Sequence, residues 1–402
     1  VSWKHEQLVE ICEMFSDGDW IESKDQSEDG IRLIQTGNVG LGLFKSRDAK
    51  ARYINEETYK RLRCTEIKEG DILVSRLPDP VGRSCIIPIL DKKSITAVDC
   101  TIIRVKKTVA NSNYLNYYFQ SPEYFRQVNK SVTGATRQRI SRSSLGKIKI
   151  PLPSLATQQK IVAKLDAIFA EIDKAVLATE ANVKNAESLF KCYLFEVFEQ
   201  GGSEWNDKKL TDVAIHMGRG KSKHRPRNDV SLYGGEYPFI QTGDVRNSDK
   251  FITTYTQTYN EKGLAQSKLW KASTVCITIA ANIAEIGILG FDACFPDSVI
   301  GIVVDKEKVS EDFLYLMLIF AQQRIKDKSK GSAQENINLG TFEDMLFKVA
   351  PLKQQEIIVQ RFNNLKISTD FIRESNFKKL NELSNLKNSI LKQAFNGELV
   401  KD

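Results

Sequence analysis

One phrase is written twice in this chain. "IRLIQTGNVG" occupies Ile31–Gly40 and "YPFIQTGDVR" occupies Tyr237–Arg246, so Ile-Gln-Thr-Gly-(Asn/Asp)-Val recurs 206 residues apart. A long-period repeat decides the architecture before any local pattern does, because each copy must be one structural unit. The flanking segments repeat in the same order. "SWKHEQLVEIC" (Ser2–Cys12) aligns with "EWNDKKLTDVA" (Glu204–Ala214), which puts Trp3 on Trp205 and Leu8 on Leu210. "KEGDILVS" aligns with "KASTVCIT", "VDCTIIRV" with "DSVIGIVV", and "YLNYYF" with "FLYLML". "GATRQRIS" aligns with "GSAQENIN", and "PSLATQQKIV" with "PLKQQEIIV". Each match is weak alone, but their common order makes the chain a tandem duplication.

Each half opens with a mixed α+β region. Short β-branched runs such as "CIIPI" and "VIGIVV" predict strands, and "NYLNYYF" predicts a helix. A long proline-free segment follows in each half. The expected organisation is a first domain over 1–153, a spacer helix over 154–202, a second domain over 203–351 and a second spacer helix over 352–402. In the first spacer, Ile161, Leu165, Ile168, Ile172, Ala175, Thr179, Asn182, Ala186, Leu189 and Tyr193 follow a continuous 4-3-4-3 spacing, which predicts a coiled-coil seam with Thr179 and Asn182 as polar register marks. In the second, Ile358, Phe362, Leu365 and Ile372 are followed by Leu380, Leu383, Ile390 and Ala394, with a break in phase between them. Gly397 is placed to cap its end. Ile161, Leu165, Ile168, Ile172, Leu189, Ile358, Phe362, Leu365, Leu383 and Ile390 are the expected interface residues of two such helices paired antiparallel.

The composition bounds the function. Formal net charge is +7, which fits a nucleic-acid partner. The seven cysteines stand singly with no CxxC pair, so the expected setting is a reducing cytosol without disulfide framework or zinc site. No apolar run approaches membrane-spanning length, and the first residues lack the apolar core of a signal peptide.

Familiar catalytic patterns fail. "GKS" at Gly220–Ser222 lacks the P-loop's leading glycine, since Ile215 stands there. Asp79, Asp91 and Lys93 trace the outline of a nuclease PD…DxK, but the second half has no copy. No proline follows another, so an amino-methyltransferase motif is missing too.

Binding chemistry is better represented. "MGRGKSKHRPRNDV" packs Arg219, Lys221, Lys223, Arg225 and Arg227 into nine residues, a charge density suited to phosphates or simply to a solvated loop. The equivalent place in the first half, "FSDGDWIESKDQ", is acidic. "TGATRQRISRSS" offers Arg137, Gln138, Arg139 and Arg142, and its counterpart offers Gln334, Glu335 and Asn336. Arginine suits guanine, glutamine or asparagine suits adenine, and glutamate suits cytosine. The framework repeats while the candidate reading residues differ.

"QTG(N/D)V", the "G(A/S)…I" loop, "PLPSLATQQKIVAKLD" and the terminal "LKNSILKQAFNGELV" together resemble the specificity subunit of type I DNA restriction-modification systems. The resemblance spans the chain; the second copy departs from it in lacking the first proline of "PLP". It implies two target-recognition domains separated by two long conserved helices in an antiparallel coiled coil, each domain reading half of a split double-stranded DNA target. It implies a non-catalytic chain holding two modification subunits, joined by restriction subunits. S-adenosylmethionine, ATP and Mg2+ would be bound by those partners and none by this chain. Gln35, Thr36 and Asn38, with Gln241, Thr242 and Asp244, are then expected near DNA; the alternative is a tight turn that needs Gly37 and Gly243. A stand-alone nuclease and a protein-binding scaffold are the rival classes.

Overall fold

The computed structural model describes residues 3–224, 226, 229–329, 339–343 and 345–400. The chain divides into two compact units, Val1–Glu180 with Phe377–Asp402, and Ala181–Asn376.

The first unit is built on three small sheets. One runs in the order Cys12–Asp17, Cys100–Val105, Ile72–Ser75, Ser84–Ile86, all antiparallel. A second runs Arg52–Ile54, Ile31–Ile34, Ser94–Thr96, Glu66–Ile67, with its central pair parallel. The third pairs His5–Gln7 with Lys149–Pro151. Ile72–Ser75 is buried along its whole length, which is why it reads as a continuous apolar run rather than an alternating one. Tyr114, Tyr118, Phe119 and Tyr124, from the helices Ser112–Tyr118 and Pro122–Ser131 and the turn between them, fill the core against Ile390, Ala394 and Phe395.

The second unit repeats this plan. Ala214–Arg219, Val299–Val304, Val275–Thr278 and Ile286–Leu289 take the same order, and Phe251–Ile252 adds a fifth strand. Gln257–Tyr259, Tyr233–Phe239, Ala293–Cys294 and Leu269–Trp270 form the second sheet, again with a parallel central pair. Asn206–Lys208 pairs with Phe347–Val349. Even a local irregularity is duplicated: the register shifts between Cys12 and Met14, and between Ala214 and His216. A bulge bends a strand in a fixed way, so its recurrence marks a shared backbone path.

Two long helices, Leu155–Gln200 and Leu352–Phe395, contribute to both units. In the first unit Lys164 donates to the Leu399 carbonyl and Lys387 pairs with Asp173, so the two helices run antiparallel there. In the second, Phe190 and Tyr193 pack on Phe362, and the Tyr193 hydroxyl lies 3.5 Å from the Ile358 carbonyl. The second helix ends as its glycine forecasts: Gly397 has φ 78°, Glu398 N–H reaches the Gln393 carbonyl and Gly397 N–H the Ala394 carbonyl.

The expected seam needs correction in the first helix. Ile161, Leu165 and Ile172 are buried and Ile168 packs against the same core, but beyond Ile172 Thr179, Ala186, Leu194 and Phe198 are buried, and Ala175, Val176, Val183, Phe190 and Tyr193 are half-buried. Leu189 and Asn182 are exposed. Two successive four-residue steps, 168 to 172 to 176, shift the phase. A straight α-helix drifts by ~20° per heptad against a 3.5 repeat, and an inserted step of this kind resets it. In the second helix Ile358, Phe362, Leu365, Leu383 and Ile390 all face packed neighbours or partial burial, while Ile372, at the break, is 39% exposed.

The repeated "QQ" that opens each helix has a physical cause. Gln158 is fully buried; its Oε1 accepts from Asn111 N–H at 2.9 Å, and its Nε2 donates to the Val109 and Pro153 carbonyls. Gln355 does the same for Ser310 N–H and for the Lys308 and Ala350 carbonyls. In both units the acceptor satisfies the backbone N–H at the residue preceding the next helix, Ser112–Tyr118 or Glu311–Ser329. Gln355→Leu keeps the bulk but strands these groups. Leaving buried backbone groups unpaired costs ~1–3 kcal/mol each, so the variant is expected to lose about 2–4 kcal/mol in denaturant unfolding. A loss below about 0.5 kcal/mol, the scale of an ordinary surface change, would contradict this role.

Candidate nucleic-acid interface

The duplicated phrase lies immediately after the central strand of the second sheet in each unit. Gln35 follows Ile31–Ile34 and precedes a short turn of helix, Thr36–Asn38. Asn38 Oδ1 accepts from Gln35 N–H at 3.0 Å, and Asn38 Nδ2 donates to the Lys45 and Ser46 carbonyls. Gln241 precedes the helix Thr242–Asn247, and Asp244 Oδ2 accepts from Gln241 N–H at 2.8 Å. Asparagine and aspartate interchange because either carboxamide or carboxylate oxygen can cap this N–H. Val39 and Val245 are buried anchors. Asn38, Asp244 and the valines thus hold the turn, and Gln, Thr and Gly are left half-buried at its surface.

The glycine of the phrase is not required by backbone conformation. Neither Gly37 nor Gly243 has positive φ. A Cβ at 37 would meet the movable Arg47 guanidinium, and at 243 it would meet nothing within 4 Å. Gly18 and Gly220 are among the glycines that do constrain each unit. A Cβ on Gly18 would stand 2.3 Å from the Thr96 carbonyl oxygen, and one on Gly220 would stand 2.1 Å from that of Phe295. Their N–H groups donate to Cys100 and Val299. The two occupy the same place in the repeat, so this pair was visible in "SDGDW" and "GRGKS" once those were aligned.

In the first unit buried Arg83 ties the phrase to the next loop. Its Nε donates to the Val39 carbonyl, its Nη2 to Thr36 and its Nη1 to Leu77 and Pro80. Ala97 N–H donates to the Ile34 carbonyl, and Asp99, two residues on, holds Arg139 at 3.0 Å and Arg137 at 3.7 Å. Arg137, Gln138, Arg139 and Arg142 are all exposed. Gly134, at φ 102°, lets Thr133 and Arg139 exchange both backbone hydrogen bonds across the loop. Asp17 pairs with buried Arg76, whose guanidinium burial pulls below its ordinary range against the attraction of Asp17. The local acidity at Asp17 and Asp25 is therefore engaged in ion pairs, the latter with Arg61 at 2.6 Å.

In the second unit the basic segment comes beside the phrase. Ser222 lines a cavity of about 490 Å³ together with Gln241, Thr242, Gln257, Tyr233 and Phe239. Gln266 Oε1 accepts from Lys223 and His224 N–H, and Ser267 Oγ donates to the Lys221 carbonyl. Arg219 Nε donates to the Asp297 carbonyl at 2.7 Å. Burial and then Lys221 pull Lys268 below its usual range, and burial followed by Lys268 does the same to His216. Lys221 and Lys223 are exposed. Arg225, Arg227, Gln334, Glu335 and Asn336 lie outside the described residues.

The nuclease outline is not assembled. Lys93 pairs with Glu56 at 3.5 Å and stands 3.6 Å over the Tyr59 ring, while Asp91, on the same loop, and Asp79, on another, are exposed. Among the described residues no group of three or more His, Cys, Asp or Glu side chains could hold a metal ion. Among them, too, no helix is long and apolar enough to cross a membrane.

Two copies of one framework, each presenting the same polar turn beside different charged loops, define a duplicated recognition module. The family model for the type I restriction modification DNA specificity domain matches residues 1–179 and again 202–385, and the chain belongs to this family. It is 24% identical to the type I restriction enzyme StySPI specificity subunit of Salmonella potsdam, over 92% of this chain and 83% of that one. It is 22% identical to the EcoKI specificity subunit of Escherichia coli, with the same two coverages. The putative MjaX specificity subunit of Methanocaldococcus jannaschii is 22% identical over 99% of this chain and 93% of its own length. Among solved structures, a chain from a study of complex assembly in the type I R-M system aligns with TM-score 0.78 at 18% identity, covering 99% of this chain and 98% of that one. The HsdS subunit from Thermoanaerobacter tengcongensis aligns with TM-score 0.58 at 18% identity, covering 99% and 97%. These likenesses establish the fold, two domains with connecting coiled-coil helices. The family and its relatives favour DNA specificity in a type I system over the stand-alone nuclease and the scaffold.

Proposed function

We propose that this chain is the non-catalytic subunit that gives a type I restriction-modification complex its bipartite DNA target. The first unit reads one half of the target and the second unit the other. The observation that carries this is the duplicated turn. Its capping residues and valine anchor are preserved in both copies, while the surrounding side chains are not: Asp17 and Arg137–Arg142 in one, Arg219–Arg227 in the other. Shared scaffolding with divergent polar contacts is what reading two different sequences with one fold requires. Gln35, Thr36, Arg137, Gln138, Arg139 and Arg142 serve the first half, and Arg219, Lys221, Lys223, Arg225, Arg227, Gln241, Thr242, Gln334 and Asn336 the second. Asn38 and Asp244 act through the turn they cap.

The long helices offer the surface for two modification subunits, with restriction subunits joining the assembly. Ile367 and Phe371, one helical turn apart, are 70% and 71% exposed, and Leu177, Phe195 and Phe377 are exposed too. Large apolar side chains held in water on regular helices suit a protein partner. Methyl donor, ATP and Mg2+ belong to those partners in this reading.

DNA binding by the purified chain is expected to weaken steeply with salt. Replacing Lys221, Lys223, Arg225 and Arg227 with alanine should lower affinity and flatten the plot of log affinity against log salt by up to ~0.9 for each phosphate no longer neutralised. Titrating a labelled target duplex at several salt concentrations reads both quantities. Unchanged affinity and slope would make the segment a solvated loop.

A further inference from the structure

In the cavity of the second unit, one glutamine holds another. Gln241 Nε2 donates to Gln257 Oε1 at 2.8 Å, and both side chains line the cavity of about 490 Å³. Gln257 sits on the neighbouring strand, paired with Phe239 two residues before Gln241. We propose that Gln257 is a positioning residue that fixes the Gln241 amide to read an adenine in the half-target of the second unit. The proposal rests on the DNA-reading function above and adds to it a residue that chooses the base.

A primary amide has two N–H donors and one carbonyl acceptor. Donating one N–H to Gln257 turns the NH2 end of Gln241 toward that strand. One N–H and the carbonyl oxygen remain for a ligand, side by side in the amide plane. Adenine presents the matching pair in the major groove, an N7 acceptor beside an N6 donor. Guanine presents two acceptors there, N7 and O6, so its O6 would face the Gln241 oxygen. The amide's orientation therefore decides the base, and Gln257, with its oxygen turned toward Gln241 Nε2, holds that orientation. Tyr233, Phe239, Ser222, Thr242 and Ser298 line the same cavity.

The first unit supplies the contrast. There Arg52 pairs with Leu33, two residues before Gln35, so Arg52 occupies the place of Gln257. Arginine has five donors and no acceptor. It cannot receive an N–H from Gln35, and any pairing between them would turn the Gln35 oxygen inward. The same glutamine in the same turn thus faces opposite chemistry in the two units.

The test is selection of bound duplexes from a randomised library by the full chain, followed by sequencing. The wild type is expected to select a bipartite sequence with adenine at one position of the half assigned to residues 203–351. Gln257→Lys, a donor without an acceptor, is expected to reduce the preference for adenine over guanine at that position by a factor of about 5 to 150, the discrimination supplied by one bidentate contact. Other positions should keep their preferences, which shows that the variant is folded. Gln257→Glu still accepts from Gln241 Nε2 and should keep the adenine, whereas Gln241→Ala should lose it. A bipartite sequence whose preferences survive Gln257→Lys, that lacks adenine in this half, or that loses its adenine equally in Gln257→Glu overturns the assignment of Gln257 and leaves the DNA-reading function standing. Selection of no sequence at all overturns both.

Discussion

Phe362→Ala is expected to destabilise the second unit by about 3–5 kcal/mol, the usual cost of emptying a buried phenylalanine site. Phe362 is 1% exposed and packs its ring 4.4 Å, centroid to centroid, from Phe190, with Tyr193 at 6.5 Å. These three rings join the two long helices inside this unit and continue into the core that holds Phe198, Phe313 and Leu314. No smaller neighbour can close the gap, because Phe190 and Tyr193 are fixed on a helix whose next turns are themselves packed. Hydrogen exchange resolved by residue distinguishes the units: protection should fall in Val275–Thr278 and Val299–Val304 and be retained in Ile72–Ser75 and Cys100–Val105. Equal protection of both sets in variant and wild type would mean that the helix pairing contributes little to this unit. Leu165 occupies the same place in the first unit and is fully buried. Leu165→Ala should shift the effect to the other set of strands, with a cost of about 2–5 kcal/mol.

The duplication was legible in the sequence because apolar strand patterns and turn residues recur in order. Its reasons were not. "QQ" could be aligned, but that one glutamine of each pair, Gln158 or Gln355, satisfies three backbone groups at a junction of loops depends on hydrogen bonds between residues 45 to 49 apart. "QTG(N/D)V" could be found, yet the residues that build the turn are its fourth and fifth positions after isoleucine, Asn38/Asp244 and Val39/Val245. The glycine, which local reasoning singles out first, has ordinary φ in both copies. The constraint on Gly18 and Gly220 comes from a crossing carbonyl, so neither segment shows it alone and only their alignment marks the position.

The helices show a different limit. Ala175, Asn182 and Leu189 complete an unbroken 4-3-4-3 template, and a template cannot tell that Val176, Val183 and Phe190, one residue later, fit it after a phase shift. Accumulated drift of the helix against the heptad favours the shifted set. Leu189 is left facing outward as a consequence, among the apolar side chains offered to a partner. Lys221 and Lys223 are exposed, and in the acidic counterpart of the first unit Asp17 pairs with Arg76 and Asp25 with Arg61.

That the two units read two half-targets independently is tested most directly by replacing residues 203–351 with the equivalent module of a relative that has a different target, and mapping methylated adenines across a host genome carrying the exchanged chain with its modification partner. The helices on either side of the exchange keep their own sequences, so docking of the partner is preserved. The expected methylation pattern keeps the half-target of the first unit unchanged and adopts the relative's half-target in place of the second. A pattern in which both halves change, or neither does, would contradict independent reading by the two copies.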